Sequence, residues 1–176
     1  MSTTLTCNKA STFTYSFQWK EYTAASLDFT ADGVNSSFSL GTNVANDKAI
    51  SVKLNGFAFD GSAVVGNTLW FPSSPICSDQ IHVEFYRYSV RNLASGYTAK
   101  MQVRKTLTAD PIISLTESTG ITLGASGAIA LEIASIVTAA FTAGTYLYDI
   151  IVTQTSTGQS WRVLEGKFKV KANVTV

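Results

Sequence analysis

The sequence predicts an all-β protein. Three observations carry that expectation: apolar and polar residues alternate with a period of two in segment after segment, turn-forming pairs fall between those segments, and only one short stretch reads as helix. Composition is that of a folded globular chain. Its 176 residues, 45% hydrophobic and 14% charged, suffice for one large domain or two small ones burying about 70% of the unfolded surface.

Taken in order, Phe13, Tyr15, Phe17 and Trp19 alternate with Thr12, Thr14, Ser16 and Gln18, a strand with one face buried. A second strand starts at Leu27-Asp28-Phe29, breaks at Asp32-Gly33 and resumes over residues 37–40. Ile50, Val52 and Leu54 then alternate with Ser51 and Lys53 up to Asn55-Gly56, a pair suited to the positive φ of a tight hairpin. Asp60-Gly61 and Gly66-Asn67 punctuate the next stretch. Residues 69–71 form a short apolar strand closed by Pro72 and Pro75, which donate nothing to a ladder. Over residues 80–90, Ile81, Val83 and Phe85 face one side and His82, Glu84 and Tyr86 the other.

Residues 97–105 repeat the pattern, with Tyr97, Ala99, Met101 and Val103 on one face. Residues 112–115 and 120–123 read as short strands, and 127–133 sets Ile129, Leu131 and Ile133 against Ala128, Ala130 and Glu132. The single helical stretch, residues 135–141, is expected to dock through Ile136, Val137 and Phe141 and to stop before Gly144. The last thirty-one residues form two strands around Ser156-Thr157-Gly158. In the first, Tyr146, Tyr148, Ile150 and Val152 alternate with Leu147, Asp149 and Ile151; after Gly166, Phe168, Val170, Val174 and Val176 lie opposite Lys167, Lys169 and Lys171. Such a lysine row is expected to guard an exposed strand against edge pairing.

Charge narrows the partners. With 13 Lys and Arg against 12 Asp and Glu, net +1, the chain lacks the electrostatic footprint of a nucleic-acid or membrane-surface protein, and neither is expected as a partner. The most apolar stretch, residues 127–141, contains Glu132, Ser135 and Thr138 and falls short of a bilayer span. Cys7 and Cys77 lie far apart without metal-ligand spacing, and the start MSTTLTCNKAST has no basic-then-apolar leader. Both cysteines are therefore read as free thiols of a protein made in the cytoplasm.

Several residue series together resemble a known family. Residues 96–104 (GYTAKMQVR), 129–133 (IALEI), 144–149 (GTYLYD), 162–166 (RVLEG) and the closing 174–176 resemble an immunoglobulin-like β-sandwich module common in tailed-phage structural genes, whose first strand here is Phe13 to Trp19. In that family the first strand leads within a few residues to the counterpart of Leu93-Ala94-Ser95-Gly96-Tyr97, whereas here roughly seventy residues intervene. Those residues resemble the small β-domain of phage tail fibres in the order Phe29 to Gly33, Phe38-Ser39-Leu40, Val52-Lys53-Leu54-Asn55-Gly56-Phe57, Leu69-Trp70-Phe71-Pro72 and Asp79 to Phe85. Such fibre modules are usually strung in series. The resemblance implies an immunoglobulin-like sandwich of residues 1–21 and 89–176, a second small antiparallel β-domain of residues 22–88 inserted in one of its loops, and little helix. Loop-closure entropy, growing only logarithmically with length, permits the insertion; a simple tandem is the alternative order.

No chemistry-bearing constellation emerges. His82 is the sole histidine, on the polar face of a strand beside Glu84 and Tyr86, and no Ser or Cys near it sits in a nucleophile motif. Asp28, Asp32, Asp47 and Asp60 lack calcium-loop spacing, and Asp-Gly pairs in a β-protein are turns first. Tyr148 and Asp149 are expected to hydrogen-bond local backbone. Arg87, Arg91 and Arg104 with Tyr86, Tyr88 and Tyr97 form a basic and aromatic series that reads as a polar strand face before it reads as a stacking site. No catalytic, cofactor-binding or metal-ligating residue is assigned, and no cofactor is expected. Partner contacts are assigned to Phe57 and Phe59, which flank the Asn55-Gly56 turn, and to Tyr86 and Tyr88, since aromatic residues are enriched at interface cores.

With the resemblance, the expected function is a non-enzymatic structural component of a bacteriophage virion, acting through protein–protein contacts in the tail, baseplate or fibre. It implies other virion proteins as partners, and a homo-oligomer or a place in a symmetric assembly. A capsid decoration protein is the first alternative. A module that binds carbohydrate on a host surface is the second, and a depolymerase fragment would need paired acids that the sequence does not set in a recognisable context.

Overall fold

The computed structural model describes residues 2–172; Val174 and Val176 lie outside them. The chain divides into two compact units. Unit 1 holds residues 2–19 and 90–172 of those described, and unit 2 is Lys20–Ser89.

Along the chain, β1 (Ser2–Asn8) and β2 (Phe13–Gln18) open unit 1. Unit 2 follows with β3 (Lys20–Thr30), β4 (Ser37–Ser39), β5 (Ser51–Leu54), β6 (Phe57–Ala58), β7 (Ala63–Val65), β8 (Thr68–Trp70) and β9 (Gln80–Val90). Unit 1 resumes with β10 (Tyr97–Arg104), β11 (Ile113–Leu115), β12 (Ile121–Leu123), a 3-10 turn at Ala125–Gly127, β13 (Ala128–Ile133), α1 (Ser135–Ala139), β14 (Gly144–Gln154) and β15 (Ser160–Lys171). The protein is all-β, as the period-two pattern predicts.

Unit 1 has a five-stranded sheet in the order β1-β15-β14-β10-β11 and a three-stranded sheet in the order β12-β13-β2. Their inward residues share one core: Ala99, Met101 and Val103 of β10, Ile129, Leu131 and Ile133 of β13, and Tyr148, Ile150 and Val152 of β14 are all buried. Phe168 sits among aromatic neighbours, 5.4 Å from the Phe13 ring and 6.0 Å from that of Phe141. Between Ile150 and Ile151 the β14–β15 register slips, so Val163 and Leu164 are buried in succession where simple alternation would expose one.

The N-terminal strand β1 is an addition to the sequence reading. Its STTLTCN places only Leu5 and Cys7 fully inward, and it joins β15 in parallel, Ser2 opposite Glu165 through Asn8 opposite Lys171. The close approach requires a glycine. Gly166, at φ 152°, faces Thr3, and a Cβ there would lie 1.9 Å from the Thr3 carbonyl oxygen. This pairing corrects the reading of the lysine row. Lys167, Lys169 and Lys171 do face solvent, but β15 lies between β1 and β14 and exposes no edge for them to guard.

Helix α1 also departs from expectation. Ile136 is 78% exposed and Val137 is exposed, while Thr138 is fully buried. The reason is a hydrogen bond: the Thr138 hydroxyl, within reach of the Ser11 carbonyl at 2.7 Å and the Ser135 carbonyl at 3.0 Å, turns that face of the helix inward. Phe141 is buried as expected.

In unit 2 a four-stranded sheet, β3-β9-β5-β6, and a three-stranded sheet, β4-β8-β7, enclose Leu40, Leu69, Ile81, Val83 and Phe85. The Asn55-Gly56 turn joins β5 to β6 with both residues at positive φ, 51° and 84°, as that dipeptide predicts. Strand β3 starts at Lys20, seven residues before the Leu27 expected from alternation, because its first half, KEYTAAS, offers no run of large inward side chains.

Unit 1 closes on itself where its two segments meet. The Trp19 N–H donates to the Gly127 carbonyl at 2.8 Å, and the Gly127 N–H donates to the Arg91 carbonyl at 2.7 Å. The Arg91 guanidinium lies over the Trp161 ring at 4.7 Å and the Trp19 ring at 5.6 Å, and the two indoles are 5.5 Å apart. Gly127 has φ 71°, and a Cβ there would stand 2.4 Å from the Trp19 carbonyl oxygen. The expected outcome for Gly127→Ala is therefore a loss of about 1–2 kcal/mol in the unfolding of unit 1 from the left-handed backbone alone, with the clash adding to it. Chemical denaturation followed by tryptophan fluorescence measures this, and an unchanged midpoint would contradict it.

Candidate functional site

Unit 2 has one end remote from its own chain termini. Its first and last strands, β3 and β9, are eleven residues long, about 35 Å, and both have their far ends near Thr30 and Gln80. Three loops meet there and are tied by side chains. The Asn55 amide donates to Asp79 Oδ1 at 2.7 Å and accepts from the Gln80 N–H at 2.9 Å. Asp79 Oδ2 accepts from the Ile76 N–H at 2.8 Å, and the Ser74 hydroxyl donates to the Val34 carbonyl at 2.6 Å.

The Asp32 carboxylate accepts from the N–H groups of Val34 and Asn35, 2.9 and 2.8 Å away. These bonds hold its pKa below the ordinary carboxylate value. The Asp-Gly and Asn-Gly pairs thus act as turns, as expected; Asp32 braces its own loop through Val34 and Asn35, while Asn55 fastens its loop to Asp79 and Gln80.

Out of this fastened end stand three large apolar side chains: Val34 at 78%, Phe57 at 78% and Ile76 at 77% exposed. Isolated surface hydrophobics are ordinary, but three on adjoining, mutually bonded loops form a feature. Phe57 is expected from the sequence; Val34 and Ile76 are not. The available signal is an apolar residue set among turn formers, in Asp32-Gly33-Val34-Asn35 and in Pro75-Ile76-Cys77-Ser78.

The other assigned contact residues lie elsewhere. Phe59 does not project: it is half-buried against the unit 2 core, 5.2 Å from the Phe71 ring. Tyr86 is exposed on the outward side of β9, and Tyr88 is half-buried with the Lys20 ammonium 4.4 Å above its ring. Both are near the end of β9 opposite Gln80, about 20 Å along the strand from the fastened loops. Phe57 and the tyrosines therefore do not make one site. The arginine and tyrosine series also disperses. Arg87 donates to the Leu40 and Thr42 carbonyls of unit 2, Arg91 lies on the indoles of unit 1, and Arg104 donates to the Ala109 carbonyl and to Gln102.

His82 is engaged by carboxylates. Its Nδ1 is 2.6 Å from Asp28 Oδ1 and its Nε2 is 3.7 Å from Glu84 Oε1. The hydrogen bond with Asp28 is the main cause that raises its pKa above the ordinary 6.5. Among the described residues no hydrogen bond joins His82 to a Ser, Thr or Cys, and no group of three His, Cys, Asp or Glu has metal-binding geometry. Tyr148 does not use local backbone: its hydroxyl donates to the Thr3 carbonyl at 3.3 Å, and burial raises its pKa well above the ordinary value. Cys7 is buried, Cys77 exposed, and both are free. No helix among the described residues is long and apolar enough to cross a membrane.

Unit 1 carries two open depressions. One, about 820 Å³, lies on the three-stranded sheet between Thr14, Ser16, Glu117 and Glu132. There Glu117 Oε1 already accepts the Ala99 N–H, capping β10 where β11 does not reach. The other, about 920 Å³, lies on the five-stranded sheet and is lined by Arg104, Arg162, Lys167, Leu107 and Leu147. In comparisons with known proteins, no family model and no curated protein matches the chain.

The Asp28 contact sets a pH dependence. A raised folded-state pKa means that the stabilisation from protonated His82 is fully present below the unfolded value near 6.5 and is lost as pH rises through the folded value. Proton NMR titration of the imidazole is expected to give an apparent pKa above 6.5 in the native chain and a fall toward 6.5 in Asp28→Asn. An unshifted titration in that variant would contradict the assignment.

Proposed function

We propose that the chain is a non-enzymatic structural component of a bacteriophage virion, working through protein–protein contacts in the tail, baseplate or fibre, with unit 2 presenting its fastened apolar end to a partner. The observation that carries the contact surface is the trio Val34, Phe57 and Ile76, exposed on loops that hydrogen bonds pre-organise. A rigid apolar end loses little side-chain and loop entropy on docking, so its buried area is converted to affinity with fewer losses.

Two features of unit 1 support reading it as an immunoglobulin-like sandwich. Its sheets combine strands in the orders β1-β15-β14-β10-β11 and β12-β13-β2 about one core. Its Tyr146, at the start of β14, sends its hydroxyl back to the Thr142 carbonyl at 2.7 Å, the corner expected where that fold turns between its two sheets. The virion placement itself rests on the sequence resemblance.

A second reading, binding of a host-surface glycan, is favoured by Trp70. Its half-exposed indole stands on the outward face of β8 between the small residues Ser37 of β4 and Ala63 of β7, an exposed aromatic of the kind that sugars stack on.

The paired variant Phe57→Ser/Ile76→Ser tests the first reading. Both positions are exposed, so melting is expected within about 0.5 kcal/mol of wild type, while incorporation into particles, measured by mass spectrometry of purified virions, falls at least tenfold. Normal incorporation of the paired variant would refute the contact surface, and loss of glycan-array binding in Trp70→Ala alone would favour the second reading.

A further inference from the structure

The chain is almost neutral, but its charge is not evenly spread. Unit 1 carries nine Lys and Arg against five Asp and Glu, net +4, and unit 2 carries four against seven, net −3, which together give the chain's +1.

Within unit 1 the excess gathers on one surface. The outward positions of the five-stranded sheet hold Lys100, Arg104, Arg162, Lys167, Lys169 and Lys171, against Asp149 and Glu165. Arg162 is taken by those acids, its Nη1 3.0 Å from Glu165 and its Nε 3.6 Å from Asp149. Among the described residues no ion pair ties the other five to a carboxylate. Between Arg104 and Lys167 the middle of the row is Leu147, and Leu107, 83% exposed, lines the same depression. The surface thus sets two leucines beside the Arg162, Asp149 and Glu165 cluster, with a rim of cations that no carboxylate among the described residues pairs.

The fastened end of unit 2 has the complementary character. Beside Val34 and Ile76 stand the carboxylates of Asp32 and Asp79, which accept the N–H groups of those two residues, with no lysine or arginine in the three loops of residues 31–36, 55–57 and 72–79. We infer that a second copy of this chain is the occupant: the apolar, aspartate-bearing end of unit 2 in one copy docks on the basic outward sheet face of unit 1 in the next. This rests on reading that end as a protein-contact surface and names its partner. Because the two surfaces differ, the contact is heterologous and propagates head to tail, into a ring if the rotation closes and a filament if it does not.

A polyanion such as nucleic acid fits this face less well. Leu147 and Leu107 offer nothing to a phosphate backbone, whereas a protein end that is apolar as well as acidic meets both the leucines and the cations. Five strands about 4.8 Å apart and some seven residues long give a face of roughly 500 Å² per copy. That is at the low end of specific interfaces, so the contact is weak and dependent on ionic strength.

The test is sedimentation velocity of the full chain from about 10 μM to about 1 mM. At low salt the mean mass is expected to rise with concentration, and tenfold more salt is expected to weaken association at least tenfold. Lys167→Glu/Lys169→Glu and Phe57→Ser each lose assembly alone, with melting curves like wild type because all three side chains are exposed. Mixed in equal amounts, the two variants form a dimer and nothing larger, since each still supplies the surface that the other lacks. A wild-type chain that stays monomeric at low salt, variants that assemble alone, or a mixture without dimer overturns the inference. If the chain stays monomeric and instead binds double-stranded DNA, with binding lost in the lysine variant, the face serves a polyanion and the inference also falls. Loss of particle incorporation in Phe57→Ser/Ile76→Ser beside a monomeric wild type would leave the contact surface standing and remove only its assignment to a second copy.

Discussion

The main-chain contact at Gly127 is the constraint on which the rest of unit 1 depends. Trp19 and Arg91, the residues next to the two breaks in that unit, are both hydrogen-bonded to this one glycine, and Arg91 adds a cation over two indoles. Holding the break closed at a fixed point lets β2 join β13 on one side while β10 joins β14 on the other. The length of chain between the two residues then matters little. Going from a loop of about seven residues to one of about seventy adds only ~2 kcal/mol of closure entropy for a flexible chain, and an insert with its own core is not a flexible chain. Glycine is required because the third partner must approach within contact of the Trp19 carbonyl with a left-handed backbone.

What the sequence makes legible follows from side-chain size. Strands whose inward positions are filled by large apolar residues, such as Ile81, Val83 and Phe85 or Ile129, Leu131 and Ile133, announce both their span and their buried face. Strand β1 does not, because Leu5 and Cys7 are its only fully buried residues and its stability comes from main-chain pairing with β15, which no local pattern encodes. The lysine row misleads for the same reason, since whether a strand lies at an edge is decided by a partner more than 150 residues away in sequence. In α1 the periodic apolar residues face water and a threonine faces the core, a reversal set by one hydroxyl's access to the Ser11 carbonyl.

The candidate site was half legible for a related reason. Phe57 and Phe59 have the same parity and the same flanking turn, so sequence treats them alike. Only the fold brings Phe71 against Phe59 and leaves Phe57 beyond the core. Val34 and Ile76 become part of a surface only when Ser74, Asn55 and Asp79 draw their loops together. The charge separation between the units is hidden in the near-neutral whole, and appears once the outward rows of the five-stranded sheet are known.

These features describe a molecule in which unit 1 closes at Gly127 and unit 2 is a self-contained excursion with exposed apolar side chains at the end away from its own termini. The most direct test removes the excursion. With residues 20–89 excised and Trp19 joined to Val90 by a short Gly/Ser link, differential scanning calorimetry should record one cooperative transition, with the near-ultraviolet dichroism of packed Trp19 and Trp161 retained. A chain that melts without a cooperative transition, or that loses that dichroism, would contradict the account, because it would mean that residues 2–19 and 90–172 cannot close about Gly127 unaided.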